Sequence, residues 1–253
     1  MDLQRLIASP LVTRVEHHPS LGSTNDYCRH YAGESPRDEV LLVIADEQTA
    51  GRGRGANRWW TGAGSLAFSL LFDPAARGID RRYYGMIALA AGVATVDAVA
   101  PRLSHCELGL HWPNDVFAAG LKLAGILVEG LPDGRHILGL GLNVNNMATD
   151  APGEVAEIAT SLVSLTGETQ DRTEVLCDLL VELERRLEQL AEVPAELGER
   201  ADFLCLQRSR VLTIRNGTRD QTGVCRGIAP DGALLLDTES GRETVYSGVV
   251  VKR

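Results

Sequence analysis

The sequence predicts an α+β protein with two domains, at residues 1–206 and 207–253. Two observations support this fold class. Up to residue 203, apolar runs typical of strands alternate with segments that have helical periodicity. After Gln207, short apolar segments are separated by turn-forming pairs, and roughly four or five strands in so short a stretch indicate a small antiparallel barrel. The three pairs are Asn216-Gly217, Asp231-Gly232 and Ser240-Gly241.

The first hundred residues alternate predicted strands and helices. Strands are expected at 11–18, 40–45 and 65–72, and the second is a continuous apolar run typical of a buried strand. A helix begins near Ser23, Thr24 and Asn25, whose side chains can cap free backbone N–H groups. Another helix spans 83–100 and ends before Pro101, because proline cannot continue a helix. Its apolar part, 86–100, is too short to cross a bilayer, so we expect no membrane partner.

The rest of the first domain predicts three more strands and three helices. The strands span 107–112, 124–129 and 137–144, and Lys122 stands at the head of the second of them. Short helices are expected at 161–165 and 195–203. Between them, a long amphipathic helix spans 171–190, and Glu174 is placed for a capping box at its start.

Composition excludes several classes of protein. A net charge of −9 over 253 residues argues against a general nucleic-acid binder, which needs a basic face. The N-terminus lacks the charged and apolar regions of a signal peptide, so we expect a cytoplasmic protein. Five scattered cysteines without a CxxC pair indicate reduced thiols rather than a disulfide framework or a zinc site. They are Cys28, Cys106, Cys177, Cys205 and Cys225.

A glycine-rich loop at 51–55 is the first candidate for a binding site. Arg52 and Arg54 stand between glycines, and arginines suit bidentate contacts with phosphate or carboxylate. The run has neither the spacing of a Walker A loop nor that of a dinucleotide fingerprint. A flexible basic surface loop is the alternative. Trp59 and Trp60 follow, and either indole could stack on a purine or pack in the core.

Three further polar positions accompany the loop. Asn114 and Asp115 follow Trp112 and Pro113. Asn114 could form hydrogen bonds with the polar edge of a ligand, and Asp115 could hold Mg²⁺ or orient Lys122. A plain turn is the alternative for this segment. Lys122 is one of two lysines, the other being Lys252, and its ammonium could stabilise charge that develops in acyl or nucleotidyl transfer. A snorkelling surface lysine is the alternative. Asn143 ends an apolar strand, where it could meet a ligand or form a turn.

Together these motifs resemble those of the biotin–protein ligases, over most of the chain from Leu11 onward. Each motif is modest, but their order and spacing are specific. They are Ser23-Thr24-Asn25, Gln48 with the loop at 51–54, Trp112 to Asp115, Lys122 to Glu129, and Gly141 to Asn143. The resemblance implies a mixed-sheet catalytic domain of the biotin/lipoate ligase type at 1–206 and an SH3-like barrel at 207–253.

The resemblance also implies an activity with biotin and ATP as substrates and Mg²⁺ as cofactor. The biotin carboxylate attacks the α-phosphate of ATP, which gives biotinoyl-5′-AMP and pyrophosphate. A lysine of the biotin carboxyl carrier protein of a biotin-dependent carboxylase then attacks this mixed anhydride, and AMP leaves. The expected partner is therefore that carrier protein, with neither nucleic acid nor membrane. A homodimer joined at a sheet edge is left open.

By similarity, individual residues receive roles. Lys122, Arg52 and Arg54 are the expected catalytic residues, and Asp115 is the expected Mg²⁺ ligand. The expected ATP-binding residues are Trp59, Asn114 and Asn143. The expected biotin-binding residues are Ser23, Thr24, Asn25, Gln48, Arg52, Gly53, Arg54, Lys122 and Gly125.

The sequence departs from the family pattern in three respects. Where the family has a glycine two places after the second loop arginine, this chain has Ala56, and Gly55 comes one place early. His111 stands where the family usually has a lysine, which affects a secondary charge at this position but not the core of the site. The chain begins at the catalytic domain, whereas family members that repress transcription carry an N-terminal helix-turn-helix. We therefore expect a monofunctional ligase that does not bind operator DNA.

Two alternative functions stay open from the sequence. A lipoate or octanoate ligase or transferase shares the catalytic fold, but its substrate tail lacks the ureido group of biotin. The polar Ser23-Thr24-Asn25 segment facing Gln48 favours biotin over that tail. A non-enzymatic biotin sensor is the second alternative, and the presence of Lys122 with both loop arginines speaks against it.

Overall fold

The larger of two β-sheets in the computed structural model has seven strands, in the order β1-β2-β3-β7-β6-β5-β4. The structure describes residues 1–252, without the side chains of Ala148 and Lys252. β1 and β2 pair in parallel and the other neighbours pair antiparallel, so the sheet is mixed and the expected fold class is confirmed. The strands are β1 (Arg14–Leu21), β2 (Leu41–Gln48), β3 (Leu66–Phe72), β4 (Leu108–His111), β5 (Asp115–Ala118), β6 (Leu121–Gly130) and β7 (His136–Leu142).

Helices cover both faces of this sheet. α3 packs against α6 in the main core, and α2 packs on the opposite face. β2 separates the two cores: Leu42 and Ile44 face the main core, whereas Leu41 and Val43 face the smaller one under α2. Burial on both faces explains its continuous apolar run. The helices are α1 (Leu3–Ile7), α2 (Thr24–Tyr31), α3 (Ile87–Val99), α4 (Val155–Ile158), α5 (Leu162–Thr166), α6 (Arg172–Glu192) and α7 (Pro194–Phe203).

The segment around α3 is longer than the sequence predicted. Short 3-10 turns extend α3 at both ends, and the whole segment Arg81–Arg102 has the length and apolar composition of a membrane span. The prediction that it is too short to cross a bilayer is therefore wrong. Yet 67% of an 18-residue apolar stretch within this segment is buried inside the protein, which is typical of a core helix. The α-helix does end before Pro101, which lies in the first turn of the following 3-10 helix, where its missing N–H is tolerated.

One strand of the larger sheet was not predicted from the sequence. A plain turn was the alternative interpretation of residues 112–115, but only Trp112 to Asn114 connect the strands and Asp115 already begins β5. β4 and β5 are four residues each, which is too short for an alternating pattern to be visible. The peptide bond between Trp112 and Pro113 is cis. The resulting β4-β5-β6 meander brings Asp115 beside β6, where Lys122 lies.

The second sheet is antiparallel and has five strands in the order β11-β10-β9-β8-β12. All three turn-forming pairs lie at connections between its strands, as predicted. Trp112 joins the two sheets: its backbone N–H donates to Gln207 Oε1 at 2.7 Å, and its indole N–H donates to the Gly232 carbonyl at 3.1 Å. The domain boundary at 206/207 stays a prediction. The strands are β8 (Val211–Asn216), β9 (Arg219–Ile228), β10 (Leu234–Thr238), β11 (Gly241–Val245) and β12 (Val249–Lys252).

Candidate active site

One cavity of about 410 Å³ contains every residue predicted for the site. It lies where the start of α2, the end of β2, the glycine-rich loop, the β4–β5 turn, β6 and the end of β7 meet. Val249 and Val250 of β12 complete its wall from the second sheet. The predicted residues on the wall are Ser23, Thr24, Asn25, Gln48, Arg52, Gly53, Arg54, Trp59, Asn114, Asp115, Lys122, Gly125 and Asn143.

A buried polar network forms one end of the cavity. Gln48 Oε1 accepts from the Thr24 backbone N–H at 2.8 Å and lies 3.2 Å from the Thr24 hydroxyl. Ser69 Oγ donates to Asn25 Oδ1 at 2.6 Å and lies 2.7 Å from Thr24 Oγ1. Sequence analysis missed Ser69, whose only signal is a hydroxyl in an otherwise apolar strand. The network fixes Gln48, so its amide can serve a ligand without further ordering.

The expectation that Ser23, Thr24 and Asn25 cap α2 is wrong. Ser23 occupies the N-cap position of α2 but makes no side-chain cap bond. Thr24 and Asn25 bond to other elements instead, and all three side chains are buried. A cap position without its usual bond leaves the Ser23 hydroxyl at the cavity wall, where it can meet a ligand.

The glycine-rich loop is a small hairpin in this structure. Arg52 and Arg58 form an isolated antiparallel bridge, and the Gly53 N–H donates to the Asn57 carbonyl at 2.8 Å. The Asn57 N–H donates back to the Arg54 carbonyl at 3.2 Å and closes a tight turn. Gly55 lies in this turn with φ of 62°, in the left-handed region that favours glycine. The displaced glycine of this sequence therefore stands where the hairpin turn requires it.

The two loop arginines have different surroundings. Arg52 forms a bidentate pair with Glu129, at 3.0 Å from Nη1 to Oε1 and 2.5 Å from Nη2 to Oε2, and Nη2 lies 2.8 Å from Asp26. Arg54 donates only a long hydrogen bond, 3.3 Å from Nη1 to Asn114 Oδ1. Burial lowers the pKa of Arg54, an effect that the charge of Asp115 partly opposes. A half-buried guanidinium without a close carboxylate is suited to receive an anionic ligand.

Glu129, near the end of β6, is a second residue that sequence analysis left without a role. Its carboxylate accepts from Arg52, from Asn25 Nδ2 at 2.7 Å and from Arg29 Nη2 at 2.7 Å. Burial raises the pKa of Glu129, but the hydrogen bonds from Arg52 and Asn25 and the charges of both arginines outweigh burial and lower it overall. Glu129 thus carries a negative charge that ties the loop to α2.

Lys122 and Asp115 form an ion pair on the cavity wall. Lys122 Nζ lies 2.7 Å from Asp115 Oδ1 and 5.8 Å from the centroid of the Trp59 ring. The Trp59 ring packs so closely on Gly141 that a Cβ there would lie 2.2 Å from Cε2 of the indole. Trp59 Nε1 is buried and has no hydrogen-bond partner among the described atoms. The ion pair lets Asp115 orient Lys122, which was one of the two roles predicted for Asp115.

Two asparagines lie on the wall, and His111 packs against a third wall residue, Phe117. Asn114 Nδ2 donates to the Ile126 carbonyl at 2.7 Å, which fixes its amide beside Arg54. Asn143 is buried and accepts from Asn146 Nδ2 at 3.0 Å. His111, at the usual lysine position, stacks on Phe117 with ring centroids 3.7 Å apart, and Phe117 lines the cavity. The substitution of this lysine is thus accommodated by ring packing.

The carboxylates near the cavity allow a simple test of the expected Mg²⁺. Within residues 1–252, no group of three or more His, Cys, Asp or Glu side chains could hold a metal ion. Asp115 is the carboxylate predicted to hold this ion and has Lys122 as its counter-ion, and Glu154 also lies on the cavity wall. One carboxylate fits Mg²⁺ only in the mode in which nucleotide phosphates and water supply most of the ligands.

Comparison with known proteins identifies relatives over nearly the whole chain. Residues 18–145 match the biotin/lipoate A/B protein ligase family, and residues 210–253 match the biotin protein ligase C-terminal domain. The chain is 39% identical to a biotin–[acetyl-CoA-carboxylase] ligase of Mycobacterium tuberculosis, over 91% of this chain and 85% of that protein. It is 32% identical to the bifunctional ligase/repressor BirA of Bacillus subtilis, over 91% and 71%.

A solved structure supports the same comparison. The biotin protein ligase of Aquifex aeolicus, in complex with biotin and ATP, superposes with a TM-score of 0.82 at 28% identity. The match covers 95% of this chain and 99% of that one.

Proposed function

Because the chain belongs to the biotin/lipoate A/B protein ligase family, we propose that it is a biotin–protein ligase. It activates biotin with ATP as biotinoyl-5′-AMP and transfers the biotinyl group to a lysine of the carrier protein of a biotin-dependent carboxylase. The observation that carries this function is a single cavity with a fixed polar network at Thr24 and Gln48 and cations at Arg54 and Lys122.

The polar end of the cavity suits the ureido ring of biotin. That ring has one carbonyl acceptor and two N–H donors, so it needs several fixed polar partners. Ser23, Thr24, Asn25 and Gln48 supply hydroxyl and amide groups on the wall, and Ser69 holds the Asn25 amide in place. Lipoate and octanoate would leave these buried groups without partners, which disfavours both substrates.

The cations suit the two chemical steps. In the first step, a carboxylate oxygen of biotin bonds to the α-phosphorus of ATP and pyrophosphate leaves. In the second, the amine of the carrier lysine bonds to the biotinoyl carbonyl, AMP leaves, and the amine loses a proton. Negative charge gathers on the α-phosphate in both steps. Lys122, oriented by Asp115, and the half-buried Arg54 offer donors positioned before the reaction, which lowers the barrier most effectively.

The remaining predicted residues are assigned by position. Gly53 lets the loop backbone approach the ligand, and Gly125 leaves room beside Lys122. Asn114 and Asn143 bind the nucleotide, and the Trp59 ring packs against adenine. Trp59 also lies beside Lys122, so its indole covers the junction between biotin and nucleotide.

Mg²⁺ accompanies ATP in this proposal and supplies charge neutralisation at the phosphates. Asp115 is the residue that would hold it, through one carboxylate oxygen. Asp115 also pairs with Lys122, so the same carboxylate that orients the ammonium would hold the ion.

Pyrophosphate exchange into ATP tests the proposed activity directly. Purified protein is given ATP, Mg²⁺ and labelled pyrophosphate with biotin, lipoate or octanoate as the acid. We expect exchange with biotin alone, followed by labelling of a biotin carboxyl carrier domain. Exchange with lipoate or octanoate but not biotin would establish the alternative ligase, and binding of biotin without any exchange would establish a sensor.

A further inference from the structure

Glu129 joins three segments that also meet at the cavity. It lies in β6, its partner Arg52 lies in the glycine-rich loop, and its partners Asn25 and Arg29 lie in α2. Its side chain is only 19% exposed. Both carboxylate oxygens are engaged by Arg52, so Glu129 acts on the loop rather than on a ligand.

The loop has few other polar ties to the sheet. Hydrogen bonds within the loop close its hairpin, and its glycines lower the free energy that is needed to open it. Among the described contacts, Arg54 contributes one long hydrogen bond to Asn114, and Asp26 adds an exposed contact to Arg52. A bidentate pair with a half-buried carboxylate is the strongest of these contacts.

We propose that Glu129 is a positioning residue that latches the glycine-rich loop closed through Arg52. The latch rests on the proposed function in one respect: by keeping the loop over the cavity, it retains biotinoyl-AMP between the two chemical steps. The two loop arginines then have separate tasks, since Arg52 holds the loop and Arg54 meets the anionic ligand.

The test compares Glu129→Gln with a matched control, Glu184→Gln. Glu184 also pairs with an arginine, Arg77 at 2.6 Å, and is also 19% exposed, but it lies on α6 away from the cavity. Arg52→Gln breaks the same latch from the loop side and serves as a second variant should Glu129→Gln fold poorly. Thermal unfolding verifies that each variant is folded.

The first readout needs no ligand. Limited trypsin cleavage at Arg54 in the apo protein should be roughly 10- to 100-fold faster in Glu129→Gln and in Arg52→Gln than in wild type, because a charge-assisted contact is lost. The double variant should cleave no faster than either single one, since both remove the same contact. Glu184→Gln should cleave at the wild-type rate. Wild-type cleavage in a folded Glu129→Gln would overturn the latch.

The second readout measures retention of the intermediate. Enzyme loaded with biotin and α-labelled ATP is chased with unlabelled substrates, and escape of labelled biotinoyl-AMP is followed. Escape should rise roughly 10- to 100-fold in Glu129→Gln, more than pyrophosphate exchange falls. A purely structural role would instead lower both together, which would overturn the proposal. If wild type forms no adenylate, the proposed function fails, whereas the trypsin comparison still decides the latch.

Discussion

Arg52 and Arg54 differ in what compensates their charge, and the same contrast separates other residues of the cavity. Arg52 and Lys122 each have a carboxylate partner, whereas Arg54 has only an amide oxygen close by. A carboxylate partner holds Arg52 and Lys122 in place, whereas the half-buried Arg54, which lacks one, is stabilised most by an anionic ligand.

Removal of the Lys122 ammonium should abolish most activity. We expect Lys122→Ala to slow biotin adenylation by about 10²–10³-fold, because one preorganised donor is lost from the transition state. Lys122→Arg should restore only part of the rate, since a planar guanidinium does not replace a compact ammonium beside Asp115. Pyrophosphate exchange by the folded variants measures both effects. Wild-type exchange in Lys122→Ala would remove this lysine from the site.

The contribution of Glu129 to stability should depend on pH in a defined direction. Its folded-state pKa is lowered, so its stabilisation is fully present above its unfolded pKa of about 4.3 and is lost as pH falls through the folded pKa. The stability difference between wild type and Glu129→Gln should therefore be constant from neutral pH to about pH 5 and shrink below that. Urea unfolding of both proteins across this range checks it. A difference that instead shrinks between pH 7 and 5 would contradict the lowered pKa.

At the scale of single residues, the candidate site could be predicted in part. All thirteen residues predicted from the sequence motifs lie on the cavity wall, although their individual roles stay proposals. Ser69 and Glu129 could not be assigned, because their partners are distant: Asn25 is 44 positions from Ser69 and 104 from Glu129. Hydrogen bonds between segments so far apart leave no local pattern.

The glycine-rich hairpin is the element on which ligand retention depends. We expect it to open more often in the free protein than with biotin and ATP bound, because in the complex Arg54 gains a fixed anion in addition to the contact between Arg52 and Glu129. Trypsin should cleave at Arg52 or Arg54 more slowly in the presence of both ligands than without them. Unrelated sites such as Arg210 give the control within the same digest. Equal cleavage at the loop in both conditions would count against ligand-dependent closure.

Elements were predictable where their pattern was long. α6 was expected at 171–190 and is Arg172–Glu192, with Asp171 accepting two backbone N–H groups at its start as a cap. β5 was not predicted because four residues carry too little periodicity, and its first residue, Asp115, was considered only as a ligand-binding residue or part of a turn. Boundaries shifted by a few residues elsewhere, for example at β1, because pairing with β2 rather than hydrophobicity sets its ends.

At the scale of the whole molecule, the two sheets are joined through buried polar contacts at Trp112. We expect Gln207→Met to lower stability by about 1–3 kcal/mol, because the Trp112 backbone N–H would be buried without its acceptor. For a chain of this size the melting temperature should fall by roughly 2–4 °C for each kcal/mol. Gln4→Met, at an exposed position of α1, is the matched control. An unchanged melting temperature in Gln207→Met would show that this contact does not stabilise the junction.

The fold class could be predicted because the sequence pattern changes clearly near Gln207. Helical periodicity ends there, and turn pairs at short intervals begin. The order of strands within the larger sheet could not be derived in the same way, since β3 pairs with β7, which lies more than sixty residues later in the chain.

The participation of β12 in the cavity wall has a consequence for the order of folding. Ser23 and Val250 line the same space, although almost the whole chain lies between them. Contacts of such large sequence separation form late, because closing long loops costs entropy before the contacts compensate it. A growing polypeptide on the ribosome therefore lacks a complete cavity until residue 250 has emerged. Competence to modify a partner should appear abruptly, as a property of the finished molecule rather than of its parts.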